Sequence, residues 1–450
     1  MRLRLCLLSI LTLVPGASPA ATLRVPSEYA TINGALDASA YGDTVLVAPG
    51  TYTEYDIRSV YTGGAAPVTA TCIAFLRDGV TLLSEAGPEA TTLDLTGAPV
   101  VETAWVVVAG ALPGRDTRLA GFTITGAPTG WNGARIGLCG KVTVTDCHFV
   151  DLDARPDASG AGILVGHSDV EIIGCRFENC HARFGGAIHV VDSNVWIDDI
   201  DVVSCSSAKG GGVSASSTGP QHNLSFEVRN SRFIDNWVGN GGGAISQGGN
   251  GFRASRIVEN CYFEGNSAAL GGAVHLSDFE TALVLRDNVF VDNQLEGDVG
   301  GGGAANIRGT QLEVTNNTFH GGRQDNMLYG GAGLLVGSAT TLALERNVFS
   351  ANLGSAPVGV LAGVLAVETA CNVFWDNEGG TMEGAPLDPT DRIVDPLYCD
   401  PDAFDLTLSS QSPCLPAHSL GCGLIGALGQ GCGTVSVTPM SWSRIKGAYR

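Results

Sequence analysis

Positive charge is scarce in this chain. Lys and Arg total 25 against 45 Asp and Glu, for a formal net charge of −20. Lys141 and Lys209 are the only lysines between Phe122 and Phe374. So acidic a surface excludes nucleic acid and disfavours anionic membranes as partners. Aromatic residues are also few, at 7%, while Gly reaches 62, which is too glycine-rich for an ordinary core. The hydrophobic fraction of 44% is nevertheless too high for disorder. A repeat satisfies both facts. Amphipathic helical periodicity is missing, which excludes leucine-rich and helical repeats, and the period is too short for propeller blades. No Cys-x-x-Cys occurs, so the cysteines do not suggest zinc.

Long apolar runs are absent too. The longest, Leu5 to Val14, follows Arg2 and Arg4 and precedes Ser18-Pro19-Ala20. That order reads as a secretory signal over residues 1–20, too short to span a bilayer. A soluble, exported chain without a transmembrane segment is therefore expected, at the cell surface or free outside it. Of 13 cysteines only Cys6 lies in the leader. The remainder is an even number in an oxidising compartment, which predicts disulfides.

What is present is a period. Phe122, Phe149, Phe177, Val202, Phe233, Phe263, Phe290, Phe319, Phe349 and Phe374 recur at intervals of 25 to 31 residues. Three residues after the anchor stand Cys180, Cys205, Asn236, Asn266, Asn293, Asn352 and Asn377. Two residues before it stand Cys147, Cys175, Cys261, Asn288, Asn317, Asn347 and Asn372. Between anchors run Gly185-Gly186-Ala187-Ile188, Gly242-Gly243-Ala244-Ile245 and Gly271-Gly272-Ala273-Val274. Each copy also carries alternating triplets such as Val142-Thr143-Val144 and Leu312-Glu313-Val314, a strand pattern. Gly and Asn, which tolerate positive φ, break each copy into three short strands. One such coil cannot bury its apolar face alone, but stacked coils at about 4.8 Å per rung place like over like.

The fold class is thus all-β, a right-handed parallel β-helix with a short capping helix and a disulfide-rich cap. The expected divisions are an N-terminal cap and first rung over 21–60 and the β-helix over 61–380. A Cys- and Pro-rich C-terminal cap follows over 381–432, then a basic tail over 433–450 that carries a candidate sorting signal. The capping helix falls in Ser27 to Ser39, with Tyr29, Ile32, Ala35 and Leu36 near helical spacing. Disulfide candidates are Cys147 with Cys175 and Cys180 with Cys205, each pair sharing one register, together with Cys399, Cys414, Cys422 and Cys432. Four cysteines in the cap allow three pairings.

These motifs carry two resemblances. The alternation of Phe-x-x-Asn with Gly-Gly-Ala-Ile over about residues 120–377 resembles the repeat of chlamydial polymorphic outer-membrane proteins. Tyr29-Ala30-Thr31-Ile32 with Gly42-Asp43-Thr44-Val45 and Pro49-Gly50-Thr51-Tyr52 is similar to the entry of pectin-lyase-like β-helix proteins. Both imply the right-handed β-helix and an extracellular setting; neither implies an activity, because function belongs to sites and not to folds.

Catalytic sets of that superfamily do not assemble. Gly166-His167-Ser168, Asp198-Asp199 and Arg444-Ile445-Lys446 resemble hydrolase fragments in the wrong order. Asn194-Val195-Trp196-Ile197-Asp198 resembles part of a pectate lyase signature, with Asp199 where that signature has His. Asp151, Asp235, Asp292 and Asp376 recur singly, as corner residues do, whereas calcium ligands cluster. No cofactor is therefore expected, a calcium ladder on these Asp residues being the alternative without support in the spacing. One strip is a candidate for binding: Leu164, His189, Ser214, Ser246, His275 and Asn306, which alternation places outside the coil. His189 and His275 lie three rungs apart, about 14 Å, too far for one metal. The reading is a monomeric, non-catalytic surface protein engaging a polysaccharide or other surface partner along its flank. The alternative is a polysaccharide lyase or glycoside hydrolase.

Overall fold

The computed structural model describes residues 20–433, apart from 65, 115, 220–222, 250, 253, 278–280, 298–299 and 325–329. The expected leader over 1–20, save Ala20, and the tail beyond Gly433 lie outside the described residues, and so does Arg444-Ile445-Lys446.

Each coil runs through three faces, as the alternating triplets predict. Sheet A has 13 strands, from Thr22–Val25 to Val364–Ala370, paired in parallel one rung to the next. Sheet C also has 13, ending at Met382–Glu383, parallel except for the opening pair Asp56–Val60 with Val68–Phe75. Sheet B lies between them, and from Asp201 to Gln324 it consists of two short strands per rung, such as Arg232–Ile234 and Trp237–Val238. Val142 and Val144 point inward and are fully buried, as expected for period-two strands.

The anchors form one interior column in sheet B. Phe149 pairs with Phe177, Phe177 with Val202, and so on through Phe349 with Phe374. Phe122 departs from this. Ile124 pairs with Phe149, so Phe122 falls one place before Thr123, in the register of Cys147. It fills the corner column because an aromatic two residues early occupies the same interior volume there.

The two corner columns beside the anchors are hydrogen-bond ladders. Asn288, Asn317, Asn347 and Asn372 bond in series, and Asn236, Asn266 and Asn293 form a second series. Asp151, Asp235, Asp292 and Asp376 adopt φ of 50–53°, the left-handed corner conformation that Asp tolerates.

In the same columns Cys147, Cys175, Cys180 and Cys205 are unbonded thiols, not the disulfides expected from their register. The reason is visible at Cys261, whose Sγ donates to Val228 O and Glu259 O. Asn317 Nδ2 donates to the matching pair, Leu285 O and Thr315 O. The thiols stand in for the amide donor, each aimed at corner carbonyls.

The ends differ from expectation in one respect. The capping helix is present at Ile32–Ala38, with Thr31 Oγ1 accepting from Gly34 N and with Ile32, Ala35 and Leu36 buried. Asn33 pins it to sheet C by donating to Cys72 O and accepting from Phe75 N. The Cys-rich segment, however, packs along the outer flank of sheet B. Leu408, Leu415 and Ile425 cover Val348 and Val373, and Leu406 covers Val289 and Val291. Outward Val residues at four sheet B positions are the reason: they need an apolar cover. The disulfides there are Cys399–Cys432 and Cys371–Cys422, while Cys414 is free and buried.

Candidate functional site

The strip chosen from the sequence lies in one register. His189 pairs with Leu164 and Ser214, Ser214 with Ser246, Ser246 with His275, and His275 with Asn306. Ile188 and Val190 on either side face the core, so the inside-outside assignment holds. The strip is nevertheless covered: His189, Ser214 and Asn306 are buried at 7%, 6% and 2% exposure, and Ser246 and His275 are half-buried.

The glycine corners cause this. They fold the backbone over the outer face of sheet C, where there is no room for a side chain. A Cβ on Gly210 (φ +85°) would meet Ser214 Oγ at 2.5 Å, and one on Gly241 (φ +120°) would meet Ser246 Oγ at 2.9 Å. Phe184 adds a lid, its ring stacked 5.6 Å from His189. An extended glycan cannot lie on this row.

Both histidines are therefore buried bases. Burial, followed by the nearby guanidinium of Arg135 or Arg308, holds the His189 and His275 rings down at about 4. Neither Nδ1 has a partner among the described residues. In the unfolded chain the rings would titrate at 6.5. Below that pH the unfolded chain binds more protons, so stability is complete above it and is lost as pH falls toward 4. The loss should reach on the order of 1–2 kcal/mol per ring near pH 5. Urea midpoints at pH 7.5 and near pH 5 test this, with the His189→Gln/His275→Gln pair as reference. A wild-type slope no steeper than that of the pair would refute it.

The open face of the molecule is the outside of sheet A. One column there reads Trp196, Glu227, Ile257, Val284, Glu313, Ala343 and Glu368, paired rung to rung. Beside it run Asp198, Arg229, Glu259, Arg286, Thr315 and Glu345. Charges alternate along this second column, so Glu259 bridges Arg229 and Arg286, the latter at 2.7 Å. Trp196 remains 44% exposed with the Arg229 guanidinium 5.4 Å from its ring centre. Toward the last rungs the face hollows into a groove of about 490 Å³, with Val284, Gln311, Glu313, Thr341, Glu345 and Glu368 among its lining. These outward residues are the middle letters of the alternating triplets. Their outward side was legible in the sequence, but their grouping needed the rung registers.

The hydrolase-like fragments do not converge. His167 precedes the sheet A strand Asp169–Ile173, and Asp198 pairs with Ile173 at that strand's far end. The two are separated by the strand's length, about 17–20 Å at 3.3 Å per residue, too far for joint action on one bond. Asp198 accepts from Asn230 Nδ2 at 2.6 Å, a ladder contact. No group of three or more metal-ligating side chains occurs among the described residues.

Residues 113–349 match the family described as the right-handed β-helix region, and the chain belongs to that family. No curated protein matches significantly. Among solved structures, the chain is similar to the PL6 family alginate lyase AlyGC at 13% identity and a TM-score of 0.49. That match covers 94% of this chain and 59% of the lyase, so the chain spans well under two thirds of that protein's length. It is also similar to pectate lyase Pel9A, at 13% identity and TM-score 0.37, covering 92% of this chain and 98% of that one. Tailspike protein 3 of bacteriophage CBA120 matches at 12% identity and TM-score 0.39, covering 82% and 61%. At these identities the likeness is one of fold.

Proposed function

We propose that this is a non-catalytic, exported β-helix protein that engages glycans along the outer face of sheet A. The observation that carries the reading is the exposed Trp196, standing in an outward column of mixed polar and apolar residues whose last rungs hollow into a groove. An aromatic ring offers its face to the C–H surface of a sugar, while carboxylate, amide and hydroxyl groups answer the sugar hydroxyls. The strip from Trp196 to Glu368 spans six rung intervals, about 29 Å, a length suited to a chain and not to a single sugar. Two disulfides fit an oxidising compartment. Among the described residues, no helix is long and apolar enough to cross a membrane.

The test is a polysaccharide panel followed for both binding and unsaturated-product absorbance. Trp196→Ala should weaken binding by roughly tenfold, as loss of an aromatic anchor does. Stability should move by no more than about 0.5 kcal/mol, since the ring is half exposed. Unaltered affinity in this variant would remove sheet A as the site. Steady product formation by wild type would remove the non-catalytic reading.

A further inference from the structure

We infer that the glycan taken by the sheet A face is uncharged; this rests on the glycan-binding reading above. Anchoring a uronate requires a guanidinium or ammonium free to meet its carboxylate. Among the described residues of this face, from Trp196 onward, no such group is free. Arg229 is held by Glu227 and Glu259, Arg286 by Glu259, and Arg346 by Glu345 at 3.2 Å and by Asn316 Oδ1 at 2.9 Å. Each cation here is already neutralised within the protein.

The groove goes further, because carboxylates outnumber cations in it. Glu313, Glu345 and Glu368 line it against the single guanidinium of Arg346. A polyuronate brings one negative charge per sugar into that field, within a Debye length of these carboxylates at physiological salt. The field of the whole chain, at −20, adds to the repulsion at longer range. An uncharged sugar meets none of this. Its hydroxyls donate to Glu313 and Glu368 and exchange bonds with Gln311 and Thr341. The floor supplies the apolar counterpart, since Val284 and Ala343 flank Glu313 in the same column. From Val284 to Glu368 the column thus offers alternating apolar and carboxylate steps along the axis, which matches the two-sided character of a neutral sugar chain.

The experiment compares matched-length neutral glycans (β-glucan, mannan, xylan) with alginate and polygalacturonate, and with chitosan as a cationic control. Binding to full-length protein is measured at low and high ionic strength. At least one neutral glycan should bind with little salt dependence. Both polyuronates should bind roughly tenfold more weakly at low salt, the gap closing as salt rises. The variant Glu313→Gln/Glu368→Gln should admit polyuronates severalfold better while keeping the wild-type stability. Preference for a polyuronate, or salt-labile preference for chitosan, would overturn the uncharged class and leave the glycan reading intact. Binding to none of the panel, or binding indifferent to Trp196→Ala, would overturn the reading of the face itself.

Discussion

Replacing Phe290 by Ala should lower the unfolding free energy by about 3–5 kcal/mol. The ring is fully buried and stacks at 4.7 Å on Phe263 below and on Phe319 above, with interplanar angles of 8° and 2°. A cavity here cannot close readily. The rings on both sides are fixed by strands in register with this one, so collapse would require whole rungs to approach. The cost therefore falls toward the upper part of the range. Phe290→Leu retains most of the volume and should lose clearly less. Chemical denaturation of the three proteins, followed by far-ultraviolet circular dichroism, measures the order. A loss under about 1 kcal/mol for Phe290→Ala would show an interior that relaxes freely, contrary to a stacked column.

Much of this column was legible beforehand, and the reason is geometric. In a parallel solenoid equivalent residues lie one above another, so a period in the sequence becomes a column in space. Phe263 over Phe233 and Asn347 over Asn317 follow from spacing alone. Phe122 shows where spacing misleads: an interval of 27 residues fits the period, yet the ring sits one column over, because two interior columns accept the same side chain. The His189 row fails for another reason. Alternation says which side of a sheet a residue faces, but not whether a Gly-rich corner then folds across it. Cys371 went unnoticed as a disulfide partner of Cys422 because it stands beside Asn372, inside what reads as an ordinary repeat. The expected C-terminal cap divides: Asp391 to Ile393 continues the last rung, while the apolar outer residues Val289, Val291, Val348 and Val373 draw the disulfide-bonded part to a flank. The grouping of the sheet A face depends on pairs such as Arg229 with Glu259, 30 residues apart, which only the exact rung lengths bring together.

The Asn ladder should be nearly as sensitive as the Phe column, and in a way that separates its two functions. Asn317 is fully buried at the corner between sheets A and B. Its Oδ1 accepts from Asn288 N at 3.0 Å and from Asn288 Nδ2 at 2.9 Å. Its Nδ2 donates to Leu285 O at 2.8 Å, to Thr315 O at 3.1 Å and to Asn347 Oδ1 at 3.0 Å. Asn317→Ala leaves the Asn288 backbone N–H without its acceptor and takes one donor each from Leu285 O and from Thr315 O, which keeps its bond from Asp287 N, and an unmet buried group costs about 1–3 kcal/mol. Because these losses share one site they do not simply add, and a total of about 3 kcal/mol is expected. Asn317→Cys supplies the residue that other rungs already use in this column. At Cys261 the thiol donates to the equivalent carbonyls, so this variant recovers part of the donor function but little of the acceptor function. The expected order of stability is Asn, then Cys, then Ala. The C-terminal end of the ladder supports the division of labour: Asn372 donates through both its N and its Nδ2 to Asp391 Oδ1, at 2.8 and 2.9 Å. There the chain uses a pure acceptor, since the series ends and no further donor is called for. Urea midpoints for the two variants decide the matter. If Ala proves as stable as Cys, donation to the corner carbonyls contributes nothing, and the ladder's strength lies in the acceptor alone.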